Sequence, residues 1–182
     1  IEMLKKAIEL DPNFTLAYVR LSHLYTGMSW DYEDRSEECL ARAEQAARKA
    51  LKLDPDNPDS HVAMARYYLQ GHLDFDNALK HLAIVRKRYP NHEGMLNWTG
   101  NVRKRQGEFQ LAVDNLKKAF ELNPLGYNYA VEIGLNYLLM RKYPESEYYY
   151  NKAISLAPHL PGLYSMKAWL YLCWDGDTDR AR

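Results

Sequence analysis

The sequence predicts an all-α array of antiparallel helix hairpins. Three observations carry the prediction. A proline returns at Pro12, Pro55, Pro90, Pro124 and Pro158, the last two intervals being 34 residues each and the one before 35. Each proline ends a phrase that reads as the closing turns of an amphipathic helix. After each proline, small and large residues recur at i, i+3, i+4 and i+7, which is one face of a further helix. A fixed period of this size marks stacked helical repeats, because one such unit cannot bury its apolar face without its neighbours.

Residues 1–12 supply a lone second helix, closing on Ala-Ile-Glu-Leu-Asp (7–11) before Pro12. Proline stops it because it lacks an N–H and disfavours helix in the residue before it. Residues 13–55 form an enlarged unit: its proline interval is 43, nine residues longer than the regular ones. The excess falls between Tyr25 and Ala43. Asp34, with Glu37 three residues on, reads as a helix start, so the second helix of this unit is expected to be about one turn longer than its equivalents. The loop before it carries Trp30 and Tyr32, which either fold over the end of the array or form a ligand-facing flap. Residues 56–90, 91–124 and 125–158 are regular units. In the third, Leu96, Thr99, Gly100 and Arg103 mark the first helix, and Gln106-Gly107-Glu108 breaks it. In the fourth, Ala130, Ile133, Gly134 and Tyr137 do the same, and Arg141-Lys142-Tyr143-Pro144 breaks it. Residues 159–182 open a fifth unit that is cut short.

These residues resemble the tetratricopeptide repeat. The family phrase is a bulky residue, Leu-Gly and Tyr in the first helix, then Ala, a large residue, Ala and Pro in the second. The first unit has Tyr18, Leu21-Ser22, Tyr25, then Ala43, Ala47, Ala50, Pro55. The second has His61, Met64-Ala65, Tyr68, then Ala78, Leu82, Val85, Pro90. The third has Leu96, Thr99-Gly100, Arg103, then Ala112, Leu116, Ala119, Pro124; the fourth has Ala130, Ile133-Gly134, Tyr137, then Ser146, Tyr150, Ala153, Pro158. A fifth begins with Tyr164, Lys167-Ala168 and Tyr171. The resemblance implies a right-handed superhelical solenoid over residues 1–182. Small residues such as Ala65, Gly100, Ala112, Ala119 and Gly134 then sit where two helices approach closely, since dense interiors respond to a single added methylene. Tyr18, Tyr25, Tyr68, Tyr137, Tyr150, Tyr164 and Tyr171 are expected to pack between helices, and Tyr148 and Tyr149 to cover the outer surface.

The resemblance also implies a concave groove lined by the first helix of each hairpin. One third of a turn from the packing row, the residues are Val19, His23 and Thr26, then Val62, Arg66, Leu69 and Gln70, then Asn97, Asn101, Lys104 and Arg105, then Val131, Leu135, Leu138 and Leu139, then Ser165, Trp169, Leu172 and Cys173. Asn97 and Asn101 carry amides that both donate and accept, as the backbone of an extended peptide requires. Arg66, Lys104 and Arg105 suit a carboxylate or phosphate. Val131, Leu135 and Leu138 suit an apolar side chain. The bland alternative is that the polar residues are a solvated helix face and the leucines bury against the next hairpin. The Lys and Asn pattern with which some arrays hold the C-terminal carboxylate of chaperones is absent: Val19, His23, Val62 and Arg66 stand there.

Composition narrows the function classes. The chain has 24 Lys plus Arg against 24 Asp plus Glu, a formal net charge of zero, whereas nucleic-acid grooves carry a basic excess. No apolar run reaches the length of a membrane span. Its two cysteines, Cys39 and Cys173, lie far apart and fit a reducing, cytoplasmic compartment better than a disulfide framework. The six histidines form no metal-binding motif and there is no phosphate-binding glycine loop, so no cofactor, metal or catalytic residue is expected. Arg86-Lys87-Arg88 ends a helix, where cations suit the dipole, and Asp74 and Asp76 suit a turn. Trp169, Tyr171 and Trp174 in the last hairpin are expected to lack a capping unit and to promote end-to-end self-association.

The expected function is a non-catalytic scaffold that binds a partner protein or peptide, with an acidic group, in the groove. A second reading makes the chain the regulatory or sensory arm of a larger bacterial signalling protein (a cyclase, kinase or transcription regulator). The third, RNA binding by a related pentatricopeptide-type repeat, is opposed by the neutral charge and the Ala/Gly/Tyr phrase.

Overall fold

The computed structural model describes residues 1–30 and 37–174, with the Trp30 side chain excepted. Tyr32, Asp34 and the expected turn at 176–181 lie outside the described residues. Within them the chain is all helix: α1 (Glu2–Leu10), α2 (Thr15–Trp30), α3 (Glu37–Leu53), α4 (Pro58–His72), α5 (Phe75–Arg88), α6 (Glu93–Arg105), α7 (Phe109–Leu122), α8 (Tyr127–Leu139), α9 (Tyr143–Leu156) and α10 (Pro161–Trp174). At 17 residues, α3 exceeds the 14 of α5, α7 and α9 by about one turn, as the sequence leads one to expect. The chain gathers into two compact units, Ile1–Trp98 and Thr99–Arg182.

In the first unit α2 packs on both α3 and α4, and α4 on α5. Its core joins Val19, Leu21 and Tyr25 of α2, the alanine stripe Ala43, Ala46, Ala47 and Ala50 of α3, and Ala63, Met64 and Tyr67 of α4. In the second unit α8 packs between α7 and α9, and α10 against α9. Local chemistry sets the helix starts. Asn57 caps α4 by accepting from the amides of Asp59 (2.9 Å) and Ser60 (3.2 Å), with Pro58 at the first helical position. Asp74 caps α5 through the Asn77 amide at 3.0 Å. Such caps satisfy amides that have no partner within the helix.

Each regular hairpin reverses through one left-handed residue: Leu73 (φ 53°), Gly107 (φ 80°) and Arg141 (φ 57°), again 34 residues apart. After Gly107 and Arg141 the next amide reaches back five residues, Glu108 to the Arg103 carbonyl and Lys142 to that of Tyr137, both at 2.9 Å. That bond closes the helix end at a residue where only glycine is free of Cβ strain.

The two helices of a hairpin approach at one register position, where the first helix carries a small residue. Ser22 aligns with Ala47, Ala65 with Leu82, Gly100 with Leu116 and Gly134 with Tyr150, and all eight are buried. A Cβ on Gly100 would stand 2.8 Å from Leu116 Cγ, and one on Gly134 2.8 Å from the Tyr150 ring. Ala43, Ala78, Ala112 and Ser146 form the row beside this contact, all fully buried. Ser146 donates its hydroxyl to the Gly134 carbonyl at 2.8 Å, so its extra oxygen is satisfied across the contact.

Tyr25, Tyr137, Tyr150 and Tyr171 are buried, and Tyr18 and Tyr68 are half-buried. Tyr164 departs from expectation at 49% exposed: its ring lies outside while its hydroxyl donates back to the Pro158 carbonyl at 3.2 Å. Tyr18 makes the same bond to the Pro12 carbonyl. Tyr149 is not merely surface cover, for its ring stacks on Tyr137 at 5.8 Å. Tyr171 and Trp174 are also covered, the first bonded to Glu147 and the second stacked on Tyr143 at 5.7 Å, while Trp169 is exposed.

Two stability outcomes follow from this packing. Gly134→Val should lower stability by about 1–3 kcal/mol through overpacking, and pairing it with Tyr150→Ala should cost clearly less than the sum of the single changes. Additive losses in thermal unfolding would show that the two positions do not share one space. Arg141→Gly should raise stability by about 0.5–1 kcal/mol by relieving the left-handed strain, checked by denaturant titration.

Candidate functional site

Arg66 is the best-organised cation on the first-helix face. Its position on α4 puts it one turn before Gln70, whose side-chain oxygen accepts from Arg66 Nε at 2.6 Å. Its guanidinium lies over the Trp98 ring at 5.1 Å from the centroid. A hydrogen bond on one edge and an aromatic plane beneath fix the fork while leaving its charge intact. An open pocket of about 580 Å³ is lined by Arg66 together with Leu4 of α1 and Arg20, His23, Leu24, Gly27 and Met28 of α2. The Arg66 guanidinium lies close against α2, where a Cβ at Gly27 would stand 3.2 Å from Arg66 Nη2.

His23 is buried at its ring edge, and its Nε2 has no hydrogen-bond partner among the described residues. Burial, then the charges of Arg66 and Arg20, push its pKa down to about 4, against a smaller opposing pull from Asp59. The imidazole is therefore neutral at pH 7. The pocket thus combines two cations, one neutral imidazole and apolar walls, a set suited to a carboxylate attached to an apolar group. Sequence spacing had placed His23 and Arg66 on this face but missed Arg20, Leu24 and Gly27, which lie toward α1 rather than along the expected row.

The other residues of that row divide. Val19, Val62 and Leu69 are buried in the core at 1–2% exposure and line no groove; Val19 packs in the cluster that joins α2 to α3 and α4. Asn97 in the first unit is half-buried and engaged within the fold. In the second unit Asn101, Lys104 and Arg105 are likewise half-buried. Lys104 is paired with Glu132 of α8 at 2.5 Å, with side chains only 16% and 28% exposed, so its charge is already answered. Burial lowers the Arg105 pKa, while the nearby Glu132 charge opposes the shift. Val131 packs on the cluster of Ala130, Ala153, Ala157 and Leu163. Leu135 and Leu138 are half-buried and Leu139 is 50% exposed.

A second histidine pair lies in the first unit. His61 Nε2 meets the Pro55 carbonyl and His61 Nδ1 meets His81 Nδ1, both at 3.0 Å. Burial, then the neighbouring His61, pushes the His81 pKa down to about 4. No group of three or more metal-ligating side chains occurs among the described residues. No described helix is long and apolar enough to cross a membrane. Cys39 is buried and Cys173 exposed, and neither is in a disulfide. Arg86, Lys87 and Arg88 are exposed, with Arg88 paired to Asp56 at 2.5 Å.

Paired helices joined by tight turns at a constant period define an all-α helical repeat protein. Residues 99–161 match the tetratricopeptide repeat family model, and the same helix hairpin recurs along the rest of the described chain. Among curated proteins it is similar to interferon-induced protein with tetratricopeptide repeats 2 of Mus musculus, 28% identical over 176 residues, covering 85% of this chain and 35% of that protein. The chain spans about a third of the length of the curated relatives it matches. Among solved structures, a thermophilic TPR protein of Thermus thermophilus shares the fold with a TM-score of 0.72 and 23% identity, covering 92% of this chain and 86% of that one. YrrB, described as a TPR protein with an unusual peptide-binding site, shares it with a TM-score of 0.60 and 18% identity, covering 98% of this chain and 86% of that one.

The two depressed histidines set a pH dependence. In the folded chain His23 and His81 titrate near 4, whereas an unfolded histidine titrates near 6.5. Between these values the unfolded chain binds more protons, so stability is full above about pH 6.5 and declines as pH falls toward 4. Thermal unfolding at pH 7 and pH 5 should show a lower melting temperature at pH 5, and His81→Phe should reduce the difference. An unchanged difference would mean that His81 is not held neutral.

Proposed function

We propose that this array is a non-catalytic scaffold that binds a partner protein or peptide on its first-helix face. In the first unit the contact is the pocket at Arg20, His23 and Arg66, and the partner supplies a carboxylate beside an apolar side chain. The observation that carries this reading is the held geometry of Arg66. It is clamped by Gln70 and Trp98 beside an open pocket, so less side-chain entropy is lost when a ligand docks. In the second unit Asn101, Arg105, Leu135 and Leu138 form the corresponding row; Lys104 contributes through its pair with Glu132, which a competing acid would have to displace. The peptide-binding site described for YrrB, a protein of the same fold, is consistent with this use of the scaffold.

Panning a displayed peptide library against the chain tests the proposal. Selected peptides should carry Asp, Glu or a free C-terminus next to an apolar residue. Arg66→Ala should weaken their binding at least about tenfold, which corresponds to about 1.4 kcal/mol, with little change in melting temperature. Selected peptides that bind the Arg66→Ala variant equally well would count against the pocket.

A further inference from the structure

The outer row of the hairpins holds an aromatic ring in two units and leaves its place empty in another. In the second hairpin His81 of α5 packs 5.3 Å from His61 and 5.7 Å from Tyr68, both of α4. In the fourth, Tyr149 of α9 stacks on Tyr137 of α8 at 5.8 Å. The same register in the first hairpin pairs Tyr18 and Tyr25 of α2 with Ala46 of α3. A methyl group stands where the second and fourth hairpins carry a ring (the third has Asn115 at this register), and a pocket of about 510 Å³ opens there. Its volume falls within the range of ligand-binding clefts.

The pocket has a dry floor and a cationic rim. Leu21, Tyr25 and Ala46 are buried at 6–7% exposure. Lys5, Arg42 and Lys49 stand around it with Gln45, and no acidic side chain lines it. Arg42 lies 5.9 Å from the centre of the Tyr25 ring, and Lys49 the same distance from that of Tyr18. Lys5 and Arg42 are otherwise paired with Glu2 at 3.0 Å and Glu38 at 2.5 Å. Both are exposed one-turn pairs, which contribute little and exchange readily for another carboxylate. On α2 the stripe Tyr18, Leu21, Tyr25 lies across the helix from Arg20, His23 and Gly27 at 100° per residue, so this pocket is separate from the one at Arg66.

We infer that the pocket between α1, α2 and α3 receives an aromatic side chain of a partner protein, flanked by acidic residues. The ring completes the packing that His81 and Tyr149 provide in the second and fourth hairpins, and the flanking acids meet Lys5, Arg42 and Lys49. That the occupant belongs to a protein rests on the scaffold reading above; the ring-and-acid chemistry rests on this pocket alone.

The test is an NMR titration of the chain with the capped peptide Glu-Asp-Trp-Asp-Glu. Saturable shifts should centre on Leu21, Tyr25 and Ala46. Ala46→Tyr should weaken binding at least about tenfold without loss of melting temperature, because it supplies the missing ring. Lys49→Glu, at an exposed rim, should weaken it several-fold and more so at low salt. The same peptide with Ala for Trp should fail to bind, and Arg66→Ala should leave binding unchanged. Equal binding to Ala46→Tyr and Lys49→Glu, equal binding of the Ala peptide, or no shifts at millimolar peptide would overturn the inference. Loss of binding with Arg66→Ala alone would place the peptide in the other pocket, which overturns this inference and supports the scaffold reading.

Discussion

How near two helices of a hairpin can come governs everything else in this molecule. At the point of approach, a small residue stands on the first helix of every hairpin and faces a residue on the second that ranges from alanine to tyrosine. Serine is matched with alanine, alanine with leucine, glycine with leucine and glycine with tyrosine. The neighbouring row of Ala43, Ala78, Ala112 and Ser146 is fully buried in every hairpin, so no side chain there can act as a spacer. Because the backbones approach at the same register each time, the remaining faces of the helices repeat their surroundings with period 34.

That repetition makes departures informative. Where the outer row keeps an aromatic ring, as at His81 and Tyr149, the hairpin closes its own surface. Where the row falls to Ala46, the surface opens between two tyrosines and beneath three cations. On the first-helix face the other opening lies where the Arg66 guanidinium comes close against Gly27 of α2. Both openings lie between helices whose spacing is fixed elsewhere. They are consequently shaped by rigid helices, and a partner meets them without having to order a loop first.

The charges follow the same economy. A formal net charge of zero conceals local asymmetry, with Arg20 and Arg66 at one pocket and Lys5, Arg42 and Lys49 at another. Most ion pairs among the described residues are exposed and weakly stabilising. Lys104 with Glu132 is the better-buried pair and ties α6 to α8 within the second unit. Buried histidines are held neutral first by desolvation and then by neighbouring positive groups, which is why acid weakens the fold from inside the first unit.

The sequence by itself determined the helix hairpins, their period, the longer α3, the buried alanine and glycine positions and most of the packed tyrosines. These depend on local rules: proline stops, glycine turns and a 3.6-residue period, each legible over a few residues. Arg66 was legible too, because it stands one third of a turn from a packing row that the family phrase identifies. Only the tertiary structure decided which of the remaining face residues reach solvent. Val62 and Leu69 are buried, and Lys104 is taken up by Glu132. Tyr164 turns outward onto the Pro158 carbonyl. Ala46 opens a pocket. An angle on one helix cannot supply those outcomes, since they depend on residues outside that helix, from Pro158 six positions before Tyr164 to Glu132 28 positions after Lys104, or on the absence of a side chain.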